Sequence, residues 1–161
     1  MKKAQIILPD SENQLREHKL GVFLAGTIEM GKSIDWQSDL SEVLSEYPIT
    51  IFNPRRTDWD SSWEQSIKNP QFNYQVNWEL DKLNQSDIIF MNLLPESLSP
   101  ISLLELGLHA NDKLIVCCPQ GFWRKGNVEI VCDRFDIPLY ETYDEALESL
   151  IYIIDKRTKG D

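Results

Sequence analysis

Short, uniformly apolar runs alternate along the chain with longer segments whose apolar residues recur at helical spacing. Gly21–Gly26 reads Gly-Val-Phe-Leu-Ala-Gly, a compact apolar run closed by glycine, the pattern of a strand buried on both faces. Residues 49–52, 87–94, 113–118 and 137–140 repeat that pattern, and Pro48, Asn53-Pro54 and Pro119 mark several of its limits. Between the first two runs, Ile34, Trp36, Leu40, Val43 and Leu44 follow a helical period of about 3.6 residues, which predicts a helix over 34–46 with Ser33 as its N-cap. Helices are predicted again over 72–85, 101–111 and 143–155, the last capped by Thr142, and a weaker helical pattern runs through 124–135.

Strands that alternate with helices predict an α/β fold: a doubly wound five-stranded parallel sheet in a flavodoxin-like or Rossmann-like three-layer architecture. Residues 1–19 are polar apart from Ile6-Ile7-Leu8 and carry Pro9 and mixed charges, so they are expected to form a loosely attached arm ahead of a single domain over 20–161. Ligands of such sheets lie beyond the carboxyl ends of the strands, where the strand order reverses. That directs attention to Gly26, Thr27 and Ile28, to Asn53, Pro54 and Arg55, and to the turns 95–100 and 119–123. The long loop 54–69 is rich in Pro, Trp and Asp; Trp59 and Trp63 argue against disorder there and offer either a stacking wall for a planar ligand or a partner surface.

Composition narrows the picture modestly. At 161 residues, 42% hydrophobic and 26% charged, the chain suits one soluble domain with a real core. A net charge of −10 argues against a protein that grips a nucleic-acid backbone, and leaves open a small-molecule enzyme or a simple solubility device. No apolar run is long enough for a bilayer, and the first residues lack a signal-peptide core, so no membrane association is expected. Cys117 and Cys118 sit in an apolar run and, with Cys132, read as buried thiols of a reducing, cytoplasmic protein. Only His18 and His109 are available and no Cys or His spacing fits a metal site, so no metal is expected.

The residue with the most chemical promise is Glu105, set in Leu-Leu-Glu-Leu-Gly-Leu-His-Ala near the sheet's carboxyl end. An exposed glutamate in an early helical turn fits the same spacing. A second acid, Glu79 or Asp81, stands in Asn77-Trp78-Glu79-Leu80-Asp81; two carboxyls are what retaining glycosyl transfer requires, although a solvated helix face carries such charges as well. The octapeptide 26–33 also satisfies Gly-x-x-x-x-Gly-Lys-Ser, the phosphate-loop pattern, between a predicted strand and a predicted helix. Against that reading, the third predicted strand ends Phe-Met-Asn-Leu-Leu, without an aspartate for a metal.

Taken together, Val-Phe-Leu-Ala-Gly-Thr-Ile, Asn-Trp-Glu-Leu, Ser-Asp-Ile-Ile-Phe and Leu-Leu-Glu-Leu-Gly-Leu-His-Ala resemble the nucleoside 2-deoxyribosyltransferase family over roughly residues 21–152. The resemblance implies Glu105 as nucleophile and Glu79 in place of the family's second acid, an aspartate in an Asn-Asp-Leu context. It puts Ser99 where the family carries a further aspartate, and Asn127 where a neighbouring subunit supplies an asparagine. It implies ping-pong transfer of 2-deoxyribosyl groups between nucleobases through a covalent glutamyl intermediate, with deoxynucleosides and free bases as partners, no cofactor, and a homo-oligomer from dimer to hexamer. Gly26, Thr27, Ile28, Asn53, Pro54, Arg55, Trp59 and Asn77 are the expected binding residues. Two alternatives remain: a 2'-deoxynucleoside 5'-monophosphate N-glycoside hydrolase holding its phosphate with Thr27, Lys32, Ser33 and Arg55, and a nucleoside- or nucleotide-binding module without turnover.

Overall fold

The computed structural model describes residues 3–11, 14–28, 33–56, 58–111 and 113–160. Among these, six strands form one parallel sheet: β1 (Gln5–Ile7), β2 (Gly21–Gly26), β3 (Thr50–Phe52), β4 (Ile88–Asn92), β5 (Leu114–Cys117) and β6 (Leu139–Tyr140). Their order is β1-β3-β2-β4-β5-β6. Five helices connect them: α1 (Trp36–Val43), α2 (Pro70–Gln85), α3 (Pro100–Leu108), α4 (Lys125–Arg134) and α5 (Tyr143–Lys159). From β2 onward this is the flavodoxin-like doubly wound order, with its reversal between β2 and β4.

The sheet has six strands, not the expected five. Residues 1–19 contribute the additional one, so the expectation of a loosely attached arm is corrected. β1 pairs with β3 through Gln5↔Thr50 to Ile7↔Phe52. Ile7 is 2% exposed, and the Gln5 amide bonds to Leu15 O at 2.8 Å and Thr50 Oγ1 at 2.9 Å. Three residues are too few for their alternation to stand out against a polar flank, which is why composition hid the strand.

Alternation along the central strands divides two cores. Phe23, Ala25, Ile89, Met91 and Val116 point to the face covered by Trp78 and Leu83 of α2, Leu106 of α3, and Val128 and Cys132 of α4. Val22, Leu24, Phe90 and Ile115 point to the other face, under Trp36 and Leu40 of α1 and Ala146, Leu150 and Ile154 of α5. Strands covered on both faces have no polar side, hence their continuous apolar sequence. All three cysteines are free and buried. No described helix is long and apolar enough to cross a membrane.

Helix starts follow local chemistry. Asn69 and Thr142 accept from Phe72 N and Glu145 N, with Pro70 opening α2. For α1 the expected cap Ser33 is corrected to Asp35, which accepts from Ser38 N. The Ser33 hydroxyl instead donates to Ile28 O at 2.8 Å.

Candidate active site

At the reversal between β2 and β4 the two strands come unusually close. Gly26 has φ +123°, and a Cβ there would lie 2.1 Å from Asn92 O, so only glycine allows the approach. Thr27 N then donates to Asn92 O at 3.0 Å. The next groups form a closed cluster: Thr27 Oγ1 lies 2.8 Å from Ser97 Oγ and 2.7 Å from Ser99 Oγ, which are 2.9 Å from each other. Leu94 N donates to Thr27 Oγ1 and Ser97 Oγ to Leu94 O. Ser99 precedes α3 in a left-handed conformation, φ 45° and ψ 51°, with no side-chain cap. Its hydroxyl is engaged in this cluster.

Helix α3 turns polar residues inward beside the apolar Leu106 that meets the sheet. Ser102 and Glu105 are buried, as is His109 just past the helix, while Ile101, Leu104 and Leu108 are each more than half exposed. Positions 102, 105 and 109 share one stripe at helical spacing, so the polar residues face inward. Glu105 is 8% exposed. Burial and the nearby negative charge of Glu79 push its carboxyl up to about 8.

Glu79 reaches the same place from α2. Its residue surface is partly open but its carboxyl is enclosed, and that burial pushes it up to about 7 against the opposing effect of a hydrogen bond from Gln75. Gln75 Nε2 donates to Glu79 Oε1 at 2.9 Å and to Pro54 O at 3.0 Å. Gln75 Oε1 accepts from Arg56 Nη1 at 3.4 Å, and Arg56 is itself paired with Asp58 and lies 5.3 Å from the centre of the Trp63 ring. The loop after β3 is thus tied to Glu79 through one buried amide.

The other expected site residues divide clearly. Asn53 is a turn residue: it accepts from Arg55 N at 3.0 Å and its own N–H donates to Ile7 O on β1. The Arg55 guanidinium holds the entry to α1, donating to Ser33 O and Oγ, Ile34 O and Gln37 Oε1 and lying 3.6 Å from Asp35. Ile28 accepts from Ser33 and is partly buried. Trp59 packs edge-on against Trp63, ring centres 5.2 Å apart, and its indole N–H is buried without a partner among the described residues.

Asn77 stands apart from the carboxyl pair. It is exposed and donates to Asn73 O and Oδ1. Two residues along α2 from Glu79, it lies on a different helix face, since successive residues turn by about 100°. Asn127 is exposed on α4. Of the phosphate-loop octapeptide, Glu29 to Lys32 lie outside the described residues; Ser33 belongs to the turn before α1, not to the helix.

Gln75, Ser97, Ser102 and Arg56 were not expected at the site. Gln75 alone had a legible signal, its i,i+4 spacing to Glu79 on one helix.

Two enclosed carboxyls, one raised further by the charge of the other, stand at the carboxyl edge of a doubly wound sheet, the edge where such sheets bind ligands. The family model described as nucleoside 2-deoxyribosyltransferase like matches residues 19–122, and the chain belongs to that family. The match spans Thr27, Glu79, Ser99 and Glu105 and stops short of Asn127. Its general type is that of a glycosyl-transferring enzyme. No curated protein matches the chain.

Proposed function

We propose that this protein transfers 2-deoxyribosyl groups between nucleobases by a ping-pong mechanism through an ester on Glu105. The observation that carries the reading is the enclosed Glu79–Glu105 pair. Burial raises both carboxyls, Glu79 to about 7 and Glu105 to about 8, and the charge of Glu79 adds to the rise at Glu105, so the pair keeps a proton near neutrality. Held on Glu105 at rest, that proton passes to Glu79 before Glu105 attacks, which gives the site a nucleophile and an acid.

In the first half-reaction a Glu105 oxygen bonds to C1' of the deoxynucleoside. The C1'–N bond breaks, its electron pair goes to the base, and Glu79 protonates that base. In the second half, an incoming base returns its proton to Glu79, attacks C1', and frees the Glu105 carboxylate. The absent 2'-hydroxyl favours the oxocarbenium-like transition state. Trp59 is our choice for a wall of the base pocket, because its buried indole N–H has no acceptor among the described residues.

A homo-oligomer belongs to the same proposal. Ile101, Leu104 and Leu108 form an exposed apolar stripe on α3, and Leu98 and Trp123 add to the exposed apolar surface beside it; Trp123 Nε1 bonds Leu98 O at 2.9 Å. A second copy covers this surface in our reading and brings its Asn127 toward the neighbouring site.

Incubation with deoxyadenosine and free cytosine tests the function. Transfer yields deoxycytidine. Free deoxyribose alone would instead support a hydrolase, and tight binding without turnover would support a binding module. The hydrolase reading on 5'-monophosphates has less support, because Thr27, Ser33 and Arg55 are engaged with protein groups.

A further inference from the structure

We propose that Gln75 is a positioning residue of this site: its amide fixes one oxygen of Glu79, so that the other oxygen is the one that carries the proton passed to the leaving base. The inference rests on the reading of Glu79 as the acid of the pair.

The Gln75 side chain is 3% exposed, and its orientation is forced. The nitrogen faces Pro54 O, which can only accept, at 3.0 Å and Glu79 Oε1 at 2.9 Å, whereas the oxygen faces a group that can only donate, Arg56 Nη1 at 3.4 Å. A flipped amide would set its oxygen against both acceptors and its nitrogen against a guanidinium. With Oε1 of Glu79 accepting from Gln75, protonation at Oε1 would cost that hydrogen bond, so the proton resides on Oε2. This fixes the direction of delivery as well as the rotamer.

The same bond favours the ionised form of Glu79 and opposes the effect of burial. The charged groups around it are Glu105 from α3 and, through the amide, the Arg56–Asp58 pair of the loop after β3. Gln75 therefore links the loop that would contact the base to the group that would protonate it.

The direct test is carboxyl 13C NMR of the protein labelled at glutamate Cδ, titrated as wild type, as Gln75→Met, and as Asn73→Ala, a half-buried control two residues along the same helix. Gln75→Met should move the Glu79 titration upward by half a pH unit or more, and Asn73→Ala should leave it in place. In base exchange, Gln75→Met should lower kcat by about 10-fold or more, most for poor leaving bases, with little change in KM. An unmoved Glu79 titration in Gln75→Met would overturn the proposal. Should that variant not fold, Gln75→Glu keeps the length and the acceptor toward Arg56 while removing the donor, and it must raise Glu79 further. The titration does not depend on turnover, so wild type without exchange activity would sink the transferase reading while the NMR result still judged the role of Gln75.

Discussion

The hydroxyl cluster after β2 and the carboxyl pair between α2 and α3 are both buried polar groups at one edge of one sheet, but their energetics are opposite. Thr27, Ser97 and Ser99 satisfy one another within 2.7–2.9 Å and absorb the N–H and C=O of Leu94 as well. Nothing in that cluster is strained by burial. Glu79 and Glu105 are strained by it: each is desolvated, Glu105 is pushed further by its neighbour's charge, and only Gln75 opposes the effect at Glu79. A satisfied cluster holds a turn in place, whereas an electrostatically opposed pair stores reactivity.

The largest effect that sharpens the contrast is on turnover. Glu105→Gln should reduce base exchange by about 10³-fold or more with the fold retained, measured as product formation by chromatography beside a circular-dichroism spectrum. Glu79→Gln should cost about 10²–10³-fold, and should lower the Glu105 titration because the repelling charge is gone.

Stability separates the regions next. A carboxyl raised by burial binds its proton more tightly in the folded than in the unfolded chain. Its stabilising contribution is complete below about pH 4.5 and is lost as pH rises through about 7 for Glu79 and about 8 for Glu105. Glu105→Gln removes that loss. The variant should gain on the order of 2–4 kcal/mol over wild type above pH 8.5, and the gain should shrink toward zero by pH 4.5, as read from urea unfolding. Thr27→Val should do the reverse, destabilising by about 1–3 kcal/mol at every pH because it orphans Leu94 N and breaks the hydroxyl cluster. Smallest of all, Asn77→Ala should stay within about 0.5 kcal/mol and leave exchange nearly intact.

Much of the fold was legible because central strands of a parallel sheet are apolar throughout and helices are not. Runs such as Gly21–Gly26 and the pattern over 143–155 report that contrast directly. β1 escaped because three residues carry too little pattern. The cap of α1 was misplaced because Ser33 and Asp35 are both good caps, and only tertiary contact with Ile28 decides between them. At the site, motif resemblance singled out Glu79 and Glu105, and the electrostatic effect of one on the other shows that the fold brings them near each other. Asn53 and Arg55 stand at the strand end as expected, with their polar groups engaged by the turn after β3 and the entry to α1. The inward polar positions of α3 were invisible in a leucine-rich helix, since periodicity assigns faces only by polarity and here Ser102 and Glu105 are buried beside Leu106 while Ile101, Leu104 and Leu108 are exposed.

The most direct test of the central claim is peptide mass spectrometry after brief exposure to a 2'-fluoro-2'-deoxynucleoside, which slows release of the sugar from the enzyme. The account predicts one fluorodeoxyribosyl adduct, on the peptide containing Glu105, absent from Glu105→Gln. An adduct on Glu79, or active enzyme that turns over substrate yet never carries a trapped sugar, would contradict it.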